Sequence, residues 1–326
     1  MNVLKQKILA AADEDLVKIE KALSDNLQPY LEIVSDVAGH IIFSGGKRLR
    51  PLLMVLSARI CGYTGTYDIP FSSALEFLHA ATLLHDDIVD DAALRRGRPV
   101  AHSLYGNAIT VLVGDFLLAR ALSISADTGK LEVIKVISKL TEDMSQGEVF
   151  QLMRKGDVNL TEDEYLVVIR QKTAVLFEAA CKTSAILADA SEEQKKALSE
   201  YGFNLGIAFQ MADDLFDYTL DTSDLGKEVG ADLREGKMTL PLISALKQAN
   251  DKHKNVMEAI IADQNFSRQD FKTLVELLEK YGGIAYTKKM AASYITKAKD
   301  VLSVFDPSET KEILMDIADY AVARKV

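Results

Sequence analysis

The chain predicts an all-α protein, and three observations carry that expectation. It holds only 6 prolines in 326 residues. Apolar residues recur at the three- and four-residue spacing of an amphipathic helix along nearly the whole length. Strand-like alternation bounded by Asn-Gly or Asp-Gly turns is essentially absent.

The first helix, Val3–Leu23, is an acidic amphipathic segment, and Pro29–Phe43 follows it. Ser44-Gly45-Gly46-Lys47-Arg48-Leu49-Arg50-Pro51 then joins a helix end to a helix start. Pro51 suits the first turn, where its missing N–H costs nothing. Leu52–Cys61 and Phe71–Asp90 come next, then an irregular stretch, Ala92 to Pro99, that carries three arginines. Asn107–Ala126 contains the most apolar run, Ala108 to Ile124, interrupted by Gly114-Asp115 and Arg120. Those charges and its modest length favour a buried helix over a membrane span, so no transmembrane segment is expected. Leu131–Arg154, Glu162–Leu187 and Glu193–Tyr218 complete the long helices. Asp221 to Lys237 is the longest loop, punctuated by Gly226, Gly230 and Gly236, and loops of that length are commonly functional lids. Shorter helices run from Leu240 to a last one at Glu309–Arg324. With no low-complexity linker, the expectation is a single domain over residues 1–326.

Composition narrows the function. The chain is 48% hydrophobic and 26% charged, as soluble globular proteins are. A net charge of −10 argues against nucleic acid as a partner, so any basic residues that matter must cluster locally. Cys61 and Cys181 stand far apart in apolar helical contexts and read as small core residues in a reducing compartment. The N-terminus lacks the apolar core of a signal peptide. A cytoplasmic location is expected, with loose membrane contact if the product is a lipid.

Two aspartate clusters of the same design carry the chemistry. The first is Asp86-Asp87-Ile88-Val89-Asp90 and the second Asp213-Asp214-Leu215-Phe216-Asp217. Outer aspartates four apart share one face of a helix, one turn from each other. Like charges so placed repel unless a cation sits between them. A donor set of oxygen alone favours a hard ion, and Mg²⁺ takes one or two carboxylates, filling its shell with water and phosphate. Two such faces could clamp a diphosphate. The flanking Leu83-Leu84, Phe209 and Met211 are apolar, a setting in which unpaired charge is costly. A diphosphate also needs direct cationic donors. The chain offers Lys47 and Arg50, Arg95 and Arg96, Lys172 beside Thr173, and Lys227 and Lys237.

At these residues the chain resembles the trans-prenyltransferases, the all-trans-polyprenyl diphosphate synthases. The match runs, in order, through Gly45-Gly46-Lys47-Arg48-Leu49-Arg50-Pro51, Leu84-His85-Asp86-Asp87-Ile88-Val89-Asp90, Arg95-Arg96-Gly97, Gly114-Asp115, Gln146-Gly147-Glu148, Lys172-Thr173, Phe209-Gln210-Met211-Ala212-Asp213-Asp214-Leu215-Phe216-Asp217, Gly226-Lys227 and Gly236-Lys237. It covers roughly residues 29–303. The resemblance implies the single-domain helical isoprenoid-synthase fold around a deep central cavity, and usually a homodimer, for which the apolar Asn107–Ala126 helix would suit an interface. It implies that both aspartate motifs and Lys172 are catalytic, with Asp86, Asp90 and Asp213 as ligands for three Mg²⁺. Arg95, Lys172, Thr173, Gln210, Lys227 and Lys237 would hold the allylic diphosphate. Lys47, Arg50, His79 and Arg96 would hold isopentenyl diphosphate. The implied reaction is head-to-tail condensation of these two substrates.

Product length should depend on the helix carrying Asp86. In the family, a bulky aromatic about one turn before that aspartate blocks the tunnel, and here the positions hold Ala81 and Thr82. An open tunnel argues against a farnesyl product and for a long one of about eight units, a quinone side chain. A geranylgeranyl or other shorter product is the alternative. A terpene cyclase is more distant, since it has no use for a second diphosphate site. A di-iron bundle would use Glu76-x-x-His79, but its second Glu-x-x-His is missing.

Overall fold

The computed structural model describes residues 3–95, 97–219 and 230–323. Helix starts follow local chemistry. Thr161 accepts from the Glu164 N–H at 3.2 Å while the Glu164 carboxylate accepts from the Thr161 N–H at 2.9 Å, a capping box that opens a helix at Glu162. Ser267 and Asp270 do the same at Arg268. The order is α1 (Val3–Asn26), α2 (Glu32–Ile42), α3 (Leu49–Ile60), α4 (Asp68–Val89), strands β1 (Leu94–Arg95) and β2 (Arg98–Pro99), α5 (Ala101–Tyr105), α6 (Asn107–Ala126), α7 (Leu131–Met153), α8 (Glu162–Ile169), a π turn (Arg170–Ala174), α9 (Val175–Leu187) and α10 (Glu192–Thr219). Helices Ala231–Arg234, Leu240–Gln248, Asp251–Ala262, Arg268–Lys280, Gly283–Val301 and Glu309–Ala323 follow.

The all-α expectation holds. Three details differ from the sequence reading, one being the short helix Ala231–Arg234 inside the expected loop Asp221–Lys237. The arginine-bearing stretch forms a small antiparallel hairpin, with Arg95 paired to Arg98. The helix expected over residues 162–187 is interrupted by the π turn.

Contacts group the chain into two compact units. One comprises Met1–Thr141, Leu176–Gly202 and Val301–Ile317. Its hub is α4, against which α1, α2, α3 and α6 pack. Phe71, Ser72, Ala74, Leu78, Ala80 and Leu84 are buried on successive sides of α4, the pattern of a helix inside a core. One guanidinium locks the elements around it. Arg48 is 6% exposed and takes a left-handed φ of 46°. It donates to Glu20 of α1 at 2.6 Å, to Glu76 of α4 at 2.7 Å and to the Ile42 carbonyl ending α2 at 2.7 Å. Glu76 is thereby an ion-pair partner, which removes it from the di-iron pattern. Arg59 joins α3 to α1 through Asp15 at 2.6 Å.

Helix α6 corrects an expectation. It is the one described helix apolar and long enough to cross a membrane, yet only 39% of that apolar stretch is buried. Val113, Leu117, Ala121 and Ile124 face inward, whereas Ile109, Leu112 and Leu122 are exposed. The expected buried helix is covered on one face only.

The second unit comprises Glu142–Val175, Phe203–Asp300 and Ala318–Val326. Tyr165, Ile169, Met211, Leu215 and Tyr218 pack with Leu240, Leu274 and Leu278 in its core. Phe271 stacks on Tyr218 at 6.1 Å and on Phe266 at 5.8 Å. Gly230 abuts that stack with φ +79°, and a Cβ there would lie 2.7 Å from the Phe271 ring, so both backbone and space demand glycine.

Replacing Arg48 with Met should cost about 3–5 kcal/mol, because Glu76 would be left with an uncompensated buried charge. Urea unfolding should show a lowered midpoint at unchanged slope. Glu20→Gln, at a side chain 45% exposed, should cost far less.

Candidate active site

The first aspartate motif sits at the C-terminal end of α4, in the first unit. The helix ends at Val89 with Asp90 as its cap, and the Asp90 N–H donates to the Asp86 carbonyl at 2.8 Å. The last carbonyls of a helix already carry partial negative charge, and this last turn holds no basic residue to offset it. Asp86 and Asp90 are half-buried. Asp87, 2% exposed, is engaged by Arg95 of β1, with Nη2 at 2.7 Å and Nε at 2.9 Å from Oδ1. Asp87 therefore holds Arg95 in place.

His79, Thr82 and Asp86 share one face of α4, and Thr82 Oγ1 donates to the His79 carbonyl at 2.9 Å. Ala81 is turned into the core with no exposed surface, and Thr82 is half-buried. His85 lies against α6, where a Cβ on Gly114 would come within 2.2 Å of its Nε2. Asp115 follows at 3.6 Å from the same nitrogen. Lys47 is exposed on the loop that Arg48 anchors. Arg50, in the first turn of α3, lies 4.8 Å above the Phe177 ring. Arg96 falls outside the described residues.

The second motif occupies the last two turns of α10, in the second unit, again with no basic residue in the last turn. Its three carboxylates differ in setting. Asp213 is exposed. Asp214 is buried and accepts from the Tyr165 hydroxyl at 2.6 Å and the Gln210 amide at 2.8 Å. Burial pushes its carboxyl up to about 7, with repulsion from Asp232 adding to the shift. Asp217 has no exposed surface and accepts the backbone N–H groups of Ala231 at 3.1 Å and Asp232 at 3.2 Å. It anchors the backbone at Ala231 and Asp232, although its spacing suggested a partner for Asp213.

Gln210 is held at both ends, because its carbonyl oxygen accepts from Thr173 Oγ1 at 2.7 Å. Tyr165, Asp214, Gln210 and Thr173 thus form one hydrogen-bonded row. Lys172, beside Thr173 on the π turn, donates to Glu148 at 2.7 Å. Lys237 is paired with Glu235, and its N–H reaches the Asp232 carbonyl at 2.8 Å. Lys227 lies outside the described residues, as does most of the expected lid loop.

Sequence reasoning gave no role to Arg48, Tyr165 or Glu148, and weighed Glu76 only for a di-iron pattern. Arg48 was hidden among the other cations of its motif, and Tyr165 and Glu148 become meaningful only through contacts distant in the chain. Among the described residues, no three His, Cys, Asp or Glu side chains converge as a ready-made metal cage.

Comparison with known proteins gives the family. The polyprenyl synthetase family model matches residues 31–278. An octaprenyl diphosphate synthase of Escherichia coli is 39% identical over 98% of both chains. A geranylgeranyl diphosphate synthase of Methanosarcina mazei is 37% identical over 88% of each. The crystal structure of a polyprenyl synthase from Caulobacter crescentus, complexed with calcium and isoprenyl diphosphate, superposes with a TM-score of 0.93 at 40% identity, covering 98% of both chains. The chain belongs to the polyprenyl synthetase family of trans-prenyltransferases, enzymes of prenyl-chain elongation.

Proposed function

We propose that this enzyme performs the Mg²⁺-dependent condensation of isopentenyl diphosphate with an allylic diphosphate, giving a long all-trans polyprenyl diphosphate of about eight units, a quinone side chain. The observation that carries this reading is the row Tyr165–Asp214–Gln210–Thr173. It orients the Gln210 amide, which has a second N–H beyond the one given to Asp214, beside the Thr173 hydroxyl and one turn from the exposed Asp213 on the same helix. The donor set fits the ion: Asp86, Asp90 and Asp213 are the less buried members of their motifs and stand where helix ends favour positive charge. These three would hold three Mg²⁺, and the bound ions supply charge neutralisation for the departing diphosphate.

The side chains do the rest. Arg95, Lys172, Thr173, Gln210, Lys227 and Lys237 grip the allylic diphosphate, while Lys47, Arg50, His79 and Arg96 place isopentenyl diphosphate. As the allylic C–O bond breaks, the cationic donors stabilise negative charge growing on the leaving group. The isopentenyl double bond attacks the allylic carbocation, and the proton then lost passes to the released diphosphate. Asp87, Asp214 and Asp217 act in this scheme by positioning Arg95, Gln210 and the chain leading to Lys237. A cyclase would not need the isopentenyl site.

The octaprenyl length rests on the likeness to the Escherichia coli enzyme and on small side chains at Ala81 and Thr82. A geranylgeranyl or other shorter product is the second reading. The full burial of Ala81 favours it, since that residue faces no open space. We further propose one catalytic domain over residues 1–326 and a cytoplasmic homodimer, touching membrane when it releases its lipid. The uncovered apolar face of α6 supports a second copy as its cover. Burial raises the Cys61 thiol to about 11 and the Cys181 thiol to about 12, which suits unreactive cysteines in a reducing compartment.

Asp86→Ala and Asp213→Ala should each cut turnover more than a hundredfold, about 2.7 kcal/mol, with little change in melting temperature. Asp214→Ala should lose activity and also melt earlier, because it strands the buried Tyr165 hydroxyl at about 1–3 kcal/mol and frees the half-buried Gln210 amide. Activity assays with circular dichroism separate the two behaviours, and chelation followed by Mg²⁺ return should abolish and restore turnover.

Thr82→Phe should shorten the product while preserving the first condensation, as sized by chromatography of radiolabelled products. Ala81→Phe should instead overpack the core by about 1–3 kcal/mol, seen as a fall in melting temperature.

Leu112→Glu, on the outward face of α6, should convert the dimer to a monomer in light scattering without loss of helicity. An unchanged dimer mass would place the interface elsewhere.

A further inference from the structure

The Gln146-Gly147-Glu148 motif has no part in the scheme above, yet it meets the π turn at close range. Gly147 is buried on α7, and a Cβ there would lie 2.5 Å from Gln171 Cβ and 3.3 Å from the Gln171 carbonyl carbon. No other residue allows this approach without displacing the turn. The segment it admits is the π turn Arg170–Ala174, a distortion that in proteins gathers at functional sites. Glu148, the next residue, accepts from Lys172 Nζ at 2.7 Å through Oε2, while its Oε1 accepts from Gln151 Nε2 at 3.3 Å. Lys172 and Thr173 are thus held from two different helices, one by Glu148 of α7 and the other by Gln210 of α10. The first unit repeats the device: Gly114 admits the His85 ring and Asp115 stands beside it.

We propose that Gly147 and Glu148 form a positioning pair that presets Lys172 for the allylic diphosphate. Gly147 seats the turn and Glu148 fixes the ammonium. The inference rests on the reading of Lys172 as an allylic diphosphate ligand. A lysine stem is flexible, and ordering it at the moment of binding weakens affinity; Glu148 orders it beforehand. An ammonium has three donors, so a bond to Glu148 does not by itself exhaust it. Glu148 touches neither substrate in this scheme. Its influence passes through Lys172.

The test is a double-mutant cycle on the full-length enzyme, with farnesyl diphosphate and isopentenyl diphosphate varied separately in Mg²⁺ buffer. Lys172→Ala should raise the allylic KM by about tenfold or more, the loss of one charge-assisted phosphate contact. Glu148→Ala should raise the allylic KM about threefold to tenfold and leave the isopentenyl KM and the melting temperature nearly unchanged, the ordering of one long side chain being the only loss. In the Lys172→Ala background, Glu148→Ala should add nothing, the coupling expected of residues acting through one contact. Gly147→Ala, which leaves the Glu148 carboxylate intact, should reproduce the same allylic-selective effect. An allylic KM unchanged or lowered in Glu148→Ala would overturn the proposal. So would an equal rise for both substrates, or a full effect that persists without Lys172. If Lys172→Ala itself leaves the allylic KM unchanged, the assignment of Lys172 fails, and the pair loses its role with it.

Discussion

Negative charge gathered at the ends of two helices is the constraint on which the rest of this structure depends. A helix ends in carbonyls without intrahelical partners, and a lysine or arginine in the last turn would relieve them. Helices α4 and α10 carry aspartates there and no basic residue. Two carboxylates one turn apart repel by roughly 3 kcal/mol at a separation of about 5.5 Å and an effective dielectric of about 20. Such an end is stable only if the helix is fixed elsewhere and if cations answer the charge. The all-round burial of α4 and the Arg48 lock between α1, α2 and α4 meet the first condition. The second is left to groups from outside the helix.

Burial sorts the aspartates into two kinds. In each motif the middle residue lies about 100° around the helix from its neighbour and turns inward. There a lone carboxylate would be costly, so Asp87 is paired with Arg95, and Asp214 accepts from Tyr165 and Gln210. These bonds are useful as well as obligatory. They orient the arginine and the amide on which diphosphate binding is proposed to rely. Burial also raises the Asp214 carboxyl towards neutrality, which lowers the number of full negative charges crowded at the end of α10.

Much of this was legible in the sequence, for definite reasons. The apolar period gave Asn107–Ala126 to the residue and most other long helices within a few residues. The spacing of Asp86 and Asp90 fixed their common face without any tertiary information. A π turn is invisible to such reasoning, because one extra residue per turn barely disturbs a period read over a dozen positions. The hairpin at Arg95 and Arg98 is too short to show alternation. The importance of Arg48 was hidden by its neighbours: Lys47 is exposed and Arg50 half-buried, and only the acceptors brought by α1 and α4 set Arg48 apart. For α6 the sequence offered both a buried helix and an interface, because hydropathy records how apolar a helix is and not which side the fold covers.

The two motifs, alike in sequence, are not alike in structure. Asp86 and Asp90 both keep some access to solvent, whereas of Asp213 and Asp217 only the first does. The difference has a physical origin. The hairpin after α4 supplies an arginine to the middle aspartate, and the outer two stay half-buried. The chain after α10 returns through Gly230, whose left-handed backbone turns two successive N–H groups towards Asp217. Once Asp217 accepts both, it is no longer placed to serve beside Asp213. In exchange the return of the chain is tied to the end of α10. Asp232, bound by its N–H to Asp217, accepts the Lys237 N–H at its carbonyl. The third aspartate of the second motif thus sets where Lys237 stands: the same carboxylate spacing supplies two outward charges at one helix end, and at the other one outward charge and an anchor for a cation.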